Sequence, residues 1–159
     1  MPFKAALLVL SDRAAAGTRA DGCLPVMRER LAGYDIVRET VLPDDAGALQ
    51  AELIDLCDGA AAELVLTSGG TGLGPRDRTP QATLAVLDYE VPGIAEAMRA
   101  ASLSIVKSAM LSRMVAGVRH RTLIVNLPGS PKAAGECLDV VLPVLPHALE
   151  LLAGEPADG

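Results

Sequence analysis

The residues best suited to chemistry in this 159-residue chain cluster in Leu64–Thr83, LVLTSGGTGLGPRDRTPQAT, where an apolar run ends in bare backbone followed by a carboxylate. Gly69, Gly70 and Gly72 remove side chains where a ligand must touch the main chain. Glycine also permits the positive φ that turns successive amides inward as an anion nest. Phosphate is the natural guest, with a helix start near Thr79 adding positive dipole. The segment is not a P-loop, because no Gly-Lys-Ser/Thr follows. Nor is it the dinucleotide fingerprint, because in the register Gly72-x-Gly74-x-x the last position is Asp77. A tight strand-to-helix turn without a ligand is the competing reading, although four glycines in six residues exceed what a turn needs.

Asp77 lies between Arg76 and Arg78 just past the loop. A carboxylate beside bound phosphates is repulsive unless a cation lies between them, which makes Asp77 a candidate Mg²⁺ ligand. A solvated, salt-bridged turn is the alternative. Asp44 and Asp45 in LPDD supply a second carboxylate, one of them expected to cap a helix. In NLPGSPK, Asn126 to Lys132, a Pro-Gly turn, a hydroxyl and a lysine stand at a helix start. That suits a second anion or a polar ring, and equally a simple cap. SAMLSR, Ser108 to Arg113, joins a hydroxyl to a guanidinium that could pair with phosphate, or it is an ordinary helix end. His120 and His147 have no Ser or Cys partner, so a hydrolytic triad is not expected.

These residues need a frame. Ala5–Leu10 reads as a buried strand ending in Ser-Asp-Arg, Ile36–Leu42 alternates as a half-exposed strand, and ELVLTS is a third strand. GVRHRTLIVNL holds two more strand-like pieces, of which TLIVNL is central. Helices are expected over CLPVMRERLAG with Gly33 as its stop, and over PDDAGALQAELIDLCDG with Leu49, Leu53, Leu56 and Cys57 on one face. Further helices are expected from Thr79 as N-cap, from Pro92 to about Val106, and from Ser130 onward with a break at Pro143 and Pro146. Alternating strands and helices define an α/β domain with a mostly parallel sheet covered on both faces. In such sheets ligands bind beyond the C-terminal strand ends, where SDR, LPDD, TSGGTGLGPRD and NLPGSPK all fall.

Composition narrows the function. Half of the residues are apolar and only 2% aromatic, so the core is built from Ala, Val, Leu and Ile. A net charge of −6 opposes nucleic-acid coating and polybasic membrane binding. Three scattered cysteines and two histidines make neither a zinc framework nor a disulfide scaffold. They are expected to be partly buried thiols in a reducing compartment. The N-terminus lacks the length and cleavage pattern of a signal peptide, and no run approaches a membrane span. A soluble, cytoplasmic protein is expected, with one domain over residues 1–153 and a loose tail at 154–159.

Together, LVLSDRAAAG, LPDD, LVLTSGGTGLGPRDRTPQAT, VPGIAEAMR, AMLSR and LIVNLPGSPKAAGECL resemble the molybdopterin adenylyltransferase family of molybdenum-cofactor biosynthesis, in the family's order over nearly the whole chain. The resemblance implies a three-layer α/β/α sandwich with an antiparallel sheet edge, usually trimeric. It implies transfer of AMP from ATP to the terminal phosphate of molybdopterin, with Mg²⁺ and release of pyrophosphate. By motif position, Asp44 and Asp77 match the catalytic, metal-binding aspartates. Gly69, Gly70, Thr71 and Gly72, with Ser11 and Asp12, match the nucleotide site. Ser112, Arg113, Pro128, Gly129 and Ser130 match the pterin and phosphate pocket. Transient contact with the molybdenum insertase is implied, without an appended insertase domain. Asp21-Gly22-Cys23 departs from the family's Asp-x-Ser-Gly and lacks its hydroxyl. A non-catalytic pterin carrier or interaction module of the same fold is the alternative.

Overall fold

The computed structural model describes residues 1–154. Six strands, β1 (Lys4–Leu10), β2 (Asp35–Leu42), β3 (Leu64–Ser68), β4 (Tyr89–Glu90), β5 (Ala116–Arg119) and β6 (Thr122–Leu127), form one sheet in the order β2-β1-β3-β6-β5-β4. β1, β2, β3 and β6 are parallel, whereas β5 opposes β6 and β4 opposes β5. This is the expected mostly parallel sheet with an antiparallel edge. From β1 the chain goes first to β2 on one side and then to β3 on the other. The C-terminal ends of β1 and β3 therefore flank a topological switch point, where open α/β sheets leave a crevice.

The helices are α1 (Asp12–Ala15), α2 (Cys23–Arg30), α3 (Ala46–Asp58), α4 (Thr79–Val86), α5 (Pro92–Leu103), α6 (Pro131–Val141) and α7 (Leu145–Leu152). Strand alternation sends Leu7, Val9, Leu66 and Val125 into one core with Met27, Met98 and Leu138 of α2, α5 and α6. It sends Ala6, Leu8, Val65 and Ile124 into the other with Leu49, Leu53 and Leu56 of α3. Each buried leucine contributes about 1.5–3 kcal/mol by leaving water. The buried Asn126 spans the layers: its Nδ2 donates to Thr67 Oγ1 (2.9 Å) and Thr83 Oγ1 (3.1 Å), and its Oδ1 accepts from the Val115 amide (3.2 Å). This polar knot fixes β6 to β3 and α4 directly beneath the glycine loop.

Several local expectations change. Thr79 is not the cap of α4 but its first residue, with Arg78 in the cap position. It is buried, and its amide donates to Gly70 O (3.1 Å), so packing against the loop overrides the capping preference. α5 stops at Leu103, and a separate 3-10 turn covers Lys107–Leu111 because Val106 is extended. The two-residue β4 carries no legible strand pattern. All three cysteines are free and fully rather than partly buried. Of the expected C-terminal tail, residues 155–159 lie outside the described residues. Among the described residues no helix is long and apolar enough to cross a membrane.

α3 is well terminated except for one residue. Asp45 caps its start, Oδ1 accepting from the Ala48 amide (2.9 Å). At its end the Ala61 amide donates to Leu56 O (3.1 Å) and the Ala60 amide to Cys57 O (3.2 Å), a Schellman closure. That closure puts Ala60 at φ +52°, where glycine belongs, while Gly59 sits one residue early at φ −80°. Ala60→Gly is therefore expected to stabilise the fold by about 0.5–1 kcal/mol. A thermal melt should move up by about 1–4 °C; an unchanged or lower midpoint would contradict the assignment.

Candidate active site

Four parallel, adjacent strands deliver their C-terminal ends to one edge: Ser11 and Asp12 after β1, Asp44 after β2, Gly69 and Gly70 after β3, and Pro128-Gly129-Ser130 after β6. Of these, Ser11, Asp44, Gly69, Gly70, Gly129 and Ser130 border a cleft of about 390 Å³ that also receives Asp77 and, from the loop before α2, Arg19. The glycines are required there. Gly69 stands at φ +101° and a Cβ on it would overlap the Leu10 carbonyl; Gly70 stands at φ +70° and a Cβ would overlap Thr79 Oγ1. The Gly69 amide donates to Leu127 O (3.1 Å), binding the loop to β6. Among the described residues, the amides of Gly70, Thr71 and Gly72 donate to no protein acceptor. Those open donors are what an anion nest needs. Ser130 caps α6 through its Oγ, which accepts from the Ala133 amide (3.2 Å), leaving that helix start on the cleft wall.

The acidic groups are ordered by each other's backbones. The Asp12 amide donates to Asp44 Oδ2 (3.1 Å) and the Asp44 amide to Asp12 Oδ1 (2.9 Å). Arg76 grips Asp12 with two bonds of 2.9 Å. Asp12 is thus held by Arg76 and supports Asp44; it does not border the cleft, whereas Ser11 does, its Oγ capping α1 at Ala14 (3.1 Å). Asp77 Oδ2 accepts from the Gly74 amide (2.9 Å), and the Cβ of a larger residue at Gly74 would come within 2.8 Å of that oxygen.

Arg76, hydrogen-bonded to Asp12, holds its carboxyl below the usual range, with the Asp44 amide assisting. Asp44 moves the other way. Burial raises its pKa, and the charges of Asp12 and Asp77 add to that against the Asp12 amide and Arg76. A group with a raised folded pKa stabilises the fold only when protonated, and that contribution is lost as pH rises through the folded value. Ionised Asp44 therefore costs stability at neutral pH. Asp44→Asn, which keeps an acceptor for the Asp12 amide, is expected to raise the melting temperature of metal-free protein at neutral pH. The gain should shrink in acid, where Asp44 protonates; a lower midpoint at neutral pH would contradict this.

Among the described residues no three His, Cys, Asp or Glu side chains form a ready metal cage. Mg²⁺ does not need one, since it is commonly held by one or two carboxylates together with phosphates and water. Asp44 and Asp77, crowded and under-neutralised on the same cleft, fit that donor set.

Across the glycine loop lies a second cavity, of about 240 Å³, with Thr71 and Gly72 on its near wall and Ile105, Val106, Leu111 and Met114 making it largely apolar. Ser112 and Pro128 border it. Ser112 Oγ is buried without a hydrogen-bond partner. Arg113 fastens the ridge between the cavities: its amide donates to Thr71 O (2.8 Å), Nε to Gly72 O (2.9 Å) and Nη2 to Asp77 O (2.6 Å). Gly129 packs on Gly69, where a Cβ would come within 3.3 Å of the Gly69 Cα. The glycine loop thus faces the polar cleft with Gly69 and Gly70 and the apolar cavity with Thr71 and Gly72.

Sequence reasoning missed some wall residues. Arg19 sits in a loop whose composition signals only a turn. Cys23 opens α2 on the cleft wall, and its Sγ donates to Gly129 O (3.2 Å), so a thiol makes a polar contact in that region. Burial pushes that thiol's pKa up, keeping its proton available for the bond. Asp21 caps α2 at the Cys23 and Leu24 amides, both at 2.9 Å. The histidines stay apart from the site: His120 turns the β5–β6 hairpin and pairs with Asp58, and His147 lies on α7.

The family model described as "Probable molybdopterin binding domain" matches residues 6–147. The chain is 40% identical over 152 residues to the molybdopterin adenylyltransferase of Helicobacter pylori (strain J99), covering 93% of this chain and 86% of that protein. It is 44% identical over 139 residues to that of Escherichia coli K12, covering 85% and 71%. The solved structure of the molybdopterin biosynthesis enzyme MoaB from Thermus thermophilus superimposes with a TM-score of 0.91 at 49% identity, over 98% of this chain and 99% of that one. The family match over residues 6–147, identities of 40–49% over most of the chain and the close superposition show that this chain belongs to the molybdopterin-binding family of molybdenum-cofactor biosynthesis.

Proposed function

We propose that this chain is a molybdopterin adenylyltransferase, carrying AMP from Mg·ATP to the terminal phosphate of molybdopterin. A terminal phosphate oxygen of molybdopterin attacks the α-phosphorus, the bond from that phosphorus to the bridging oxygen breaks, and pyrophosphate leaves. The observation that carries this reading is the pair of cavities of opposite character sharing one glycine ridge. The open amide of Gly70, with Gly69 and Ser11 beside it, receives the nucleotide phosphates, and Thr71 and Gly72 carry the nucleotide loop on to the second cavity. The cavity bordered by Ser112 and Pro128 takes the pterin, with Gly129 and Ser130 at the junction. Phosphoryl transfer asks for positioning and charge balance rather than a strong nucleophile, because the attacking oxygen is already ionised. Asp44 and Asp77 would hold Mg²⁺, which supplies positive charge against that building on the leaving pyrophosphate. Asp12 acts through Asp44, and Arg113 acts by holding the ridge.

One domain over residues 1–153 carries the whole reaction. A homotrimer is supported by the apolar side chains of Leu103 and Met110, exposed in the single chain and outside the cavity lining. A cytoplasmic setting is supported by three unpaired thiols, and the adenylated product is of the kind an insertase would collect. The test is pyrophosphate release with each substrate withheld in turn. Release is expected only with molybdopterin, Mg²⁺ and ATP together. Tight pterin binding without release would make the chain a carrier.

A further inference from the structure

The apolar cavity contains one carboxylate. Glu136, on the α6 wall, borders a space otherwise made of Ile105, Val106, Leu111, Met114 and small or hydroxyl residues. Among the described residues its carboxylate makes no hydrogen bond and no ion pair, not even with Lys132 one turn before it. Removing water from an unpaired carboxylate is costly, so a ligand filling this cavity must return donors to Glu136. Glu136 is half-buried, and a second polar atom in the same wall, Ser112 Oγ, is buried without a partner.

We infer that Glu136 is the specificity-determining residue for the pterin ring, reading its 2-amino and N3–H edge. A 2-amino-4-oxopyrimidine edge presents two parallel N–H donors, the fork that a carboxylate accepts in bidentate fashion. The flat remainder of the ring suits the apolar walls, and Ser112 Oγ offers the neighbouring polar contact. This inference rests on the adenylyltransferase reading for its ligand, while the residue and its chemistry come from the cavity. A site built to receive donors penalises an analogue that lacks them, because its own polar group is then left unpaired.

The test uses pterin and lumazine, which differ in a 2-amino against a 2-oxo group, titrated into the full chain and followed by ring fluorescence. Wild-type protein is expected to bind pterin about tenfold to a hundredfold more tightly than lumazine, on the order expected for charge-assisted donors. In Glu136→Gln that ratio is expected to collapse towards one, with Mg·ATP binding by calorimetry unchanged as evidence of an intact fold. Equal binding of both rings by wild type, or an undiminished ratio in Glu136→Gln, overturns the inference and leaves the adenylyltransferase reading standing. Binding of neither ring by wild type overturns both. The wild-type comparison decides the matter even if the variant does not fold.

Discussion

Asp77→Asn is expected to lower adenylyl transfer by on the order of a thousandfold while leaving the fold intact. The amide side chain keeps an oxygen that can accept from the Gly74 amide, now at 2.9 Å, so the turn that shapes the loop survives. What disappears is the charge. In a cleft that also holds Asp44, removing one carboxylate would leave the nucleotide's cation, under the proposed function, with a single protein anchor. The effect should reach both KM for Mg·ATP and kcat, because the cation that this carboxylate would hold both positions the substrate and would offset charge on the leaving group. Steady-state pyrophosphate release beside a melting curve checks it. Activity within about tenfold of wild type would return Asp77 to the status of a turn residue.

Gly69→Ala is expected to cost about 2–6 kcal/mol of stability and to abolish nucleotide binding. That range combines about 1–3 kcal/mol for an L-residue held in strained backbone with about 1–3 kcal/mol for forcing an extra atom into a packed site. At φ +101° the position belongs to glycine, and the new methyl would overlap the Leu10 carbonyl, a backbone atom at the C-terminal end of β1. Relief requires β1 and β3 to separate at the switch point, which moves both walls of the cleft. Gly93→Ala is the control, since its Cβ meets nothing within 4 Å and lies in the first turn of α5. Denaturant melts of the pair should differ by most of the stated amount; equal midpoints would refute the steric argument.

The frame was legible because each parallel strand is a short apolar run with punctuation after it. AALLVL stops at Ser11, LVLTS at Gly69 and TLIVNL at Pro128, so the strand ends that carry chemistry were marked by composition alone. Asp45 was readable as a cap because α3 has a clean apolar stripe behind it. What escaped is tertiary. Thr79 looks like a cap in any local window, and only the loop folding back onto α4 buries it. Arg113 resembles a phosphate ligand by residue type, yet its guanidinium meets two loop carbonyls at 2.9 Å and 2.6 Å, which no sequence spacing reveals. Glu136 sits in an ordinary amphipathic helix, and its isolation shows only when α5 and the Lys107–Leu111 turn close the cavity over it. β4 is too short for any periodicity to register.

The central claim is that two carboxylates from separate strand ends share the nucleotide's cation. Mn²⁺ in place of Mg²⁺, followed by electron paramagnetic resonance with a non-hydrolysable ATP analogue, reads this directly. Bound Mn²⁺ should appear in wild type only when the nucleotide is present, and its signal should weaken in both Asp44→Asn and Asp77→Asn. Mn²⁺ bound with equal affinity in all three proteins would contradict the claim.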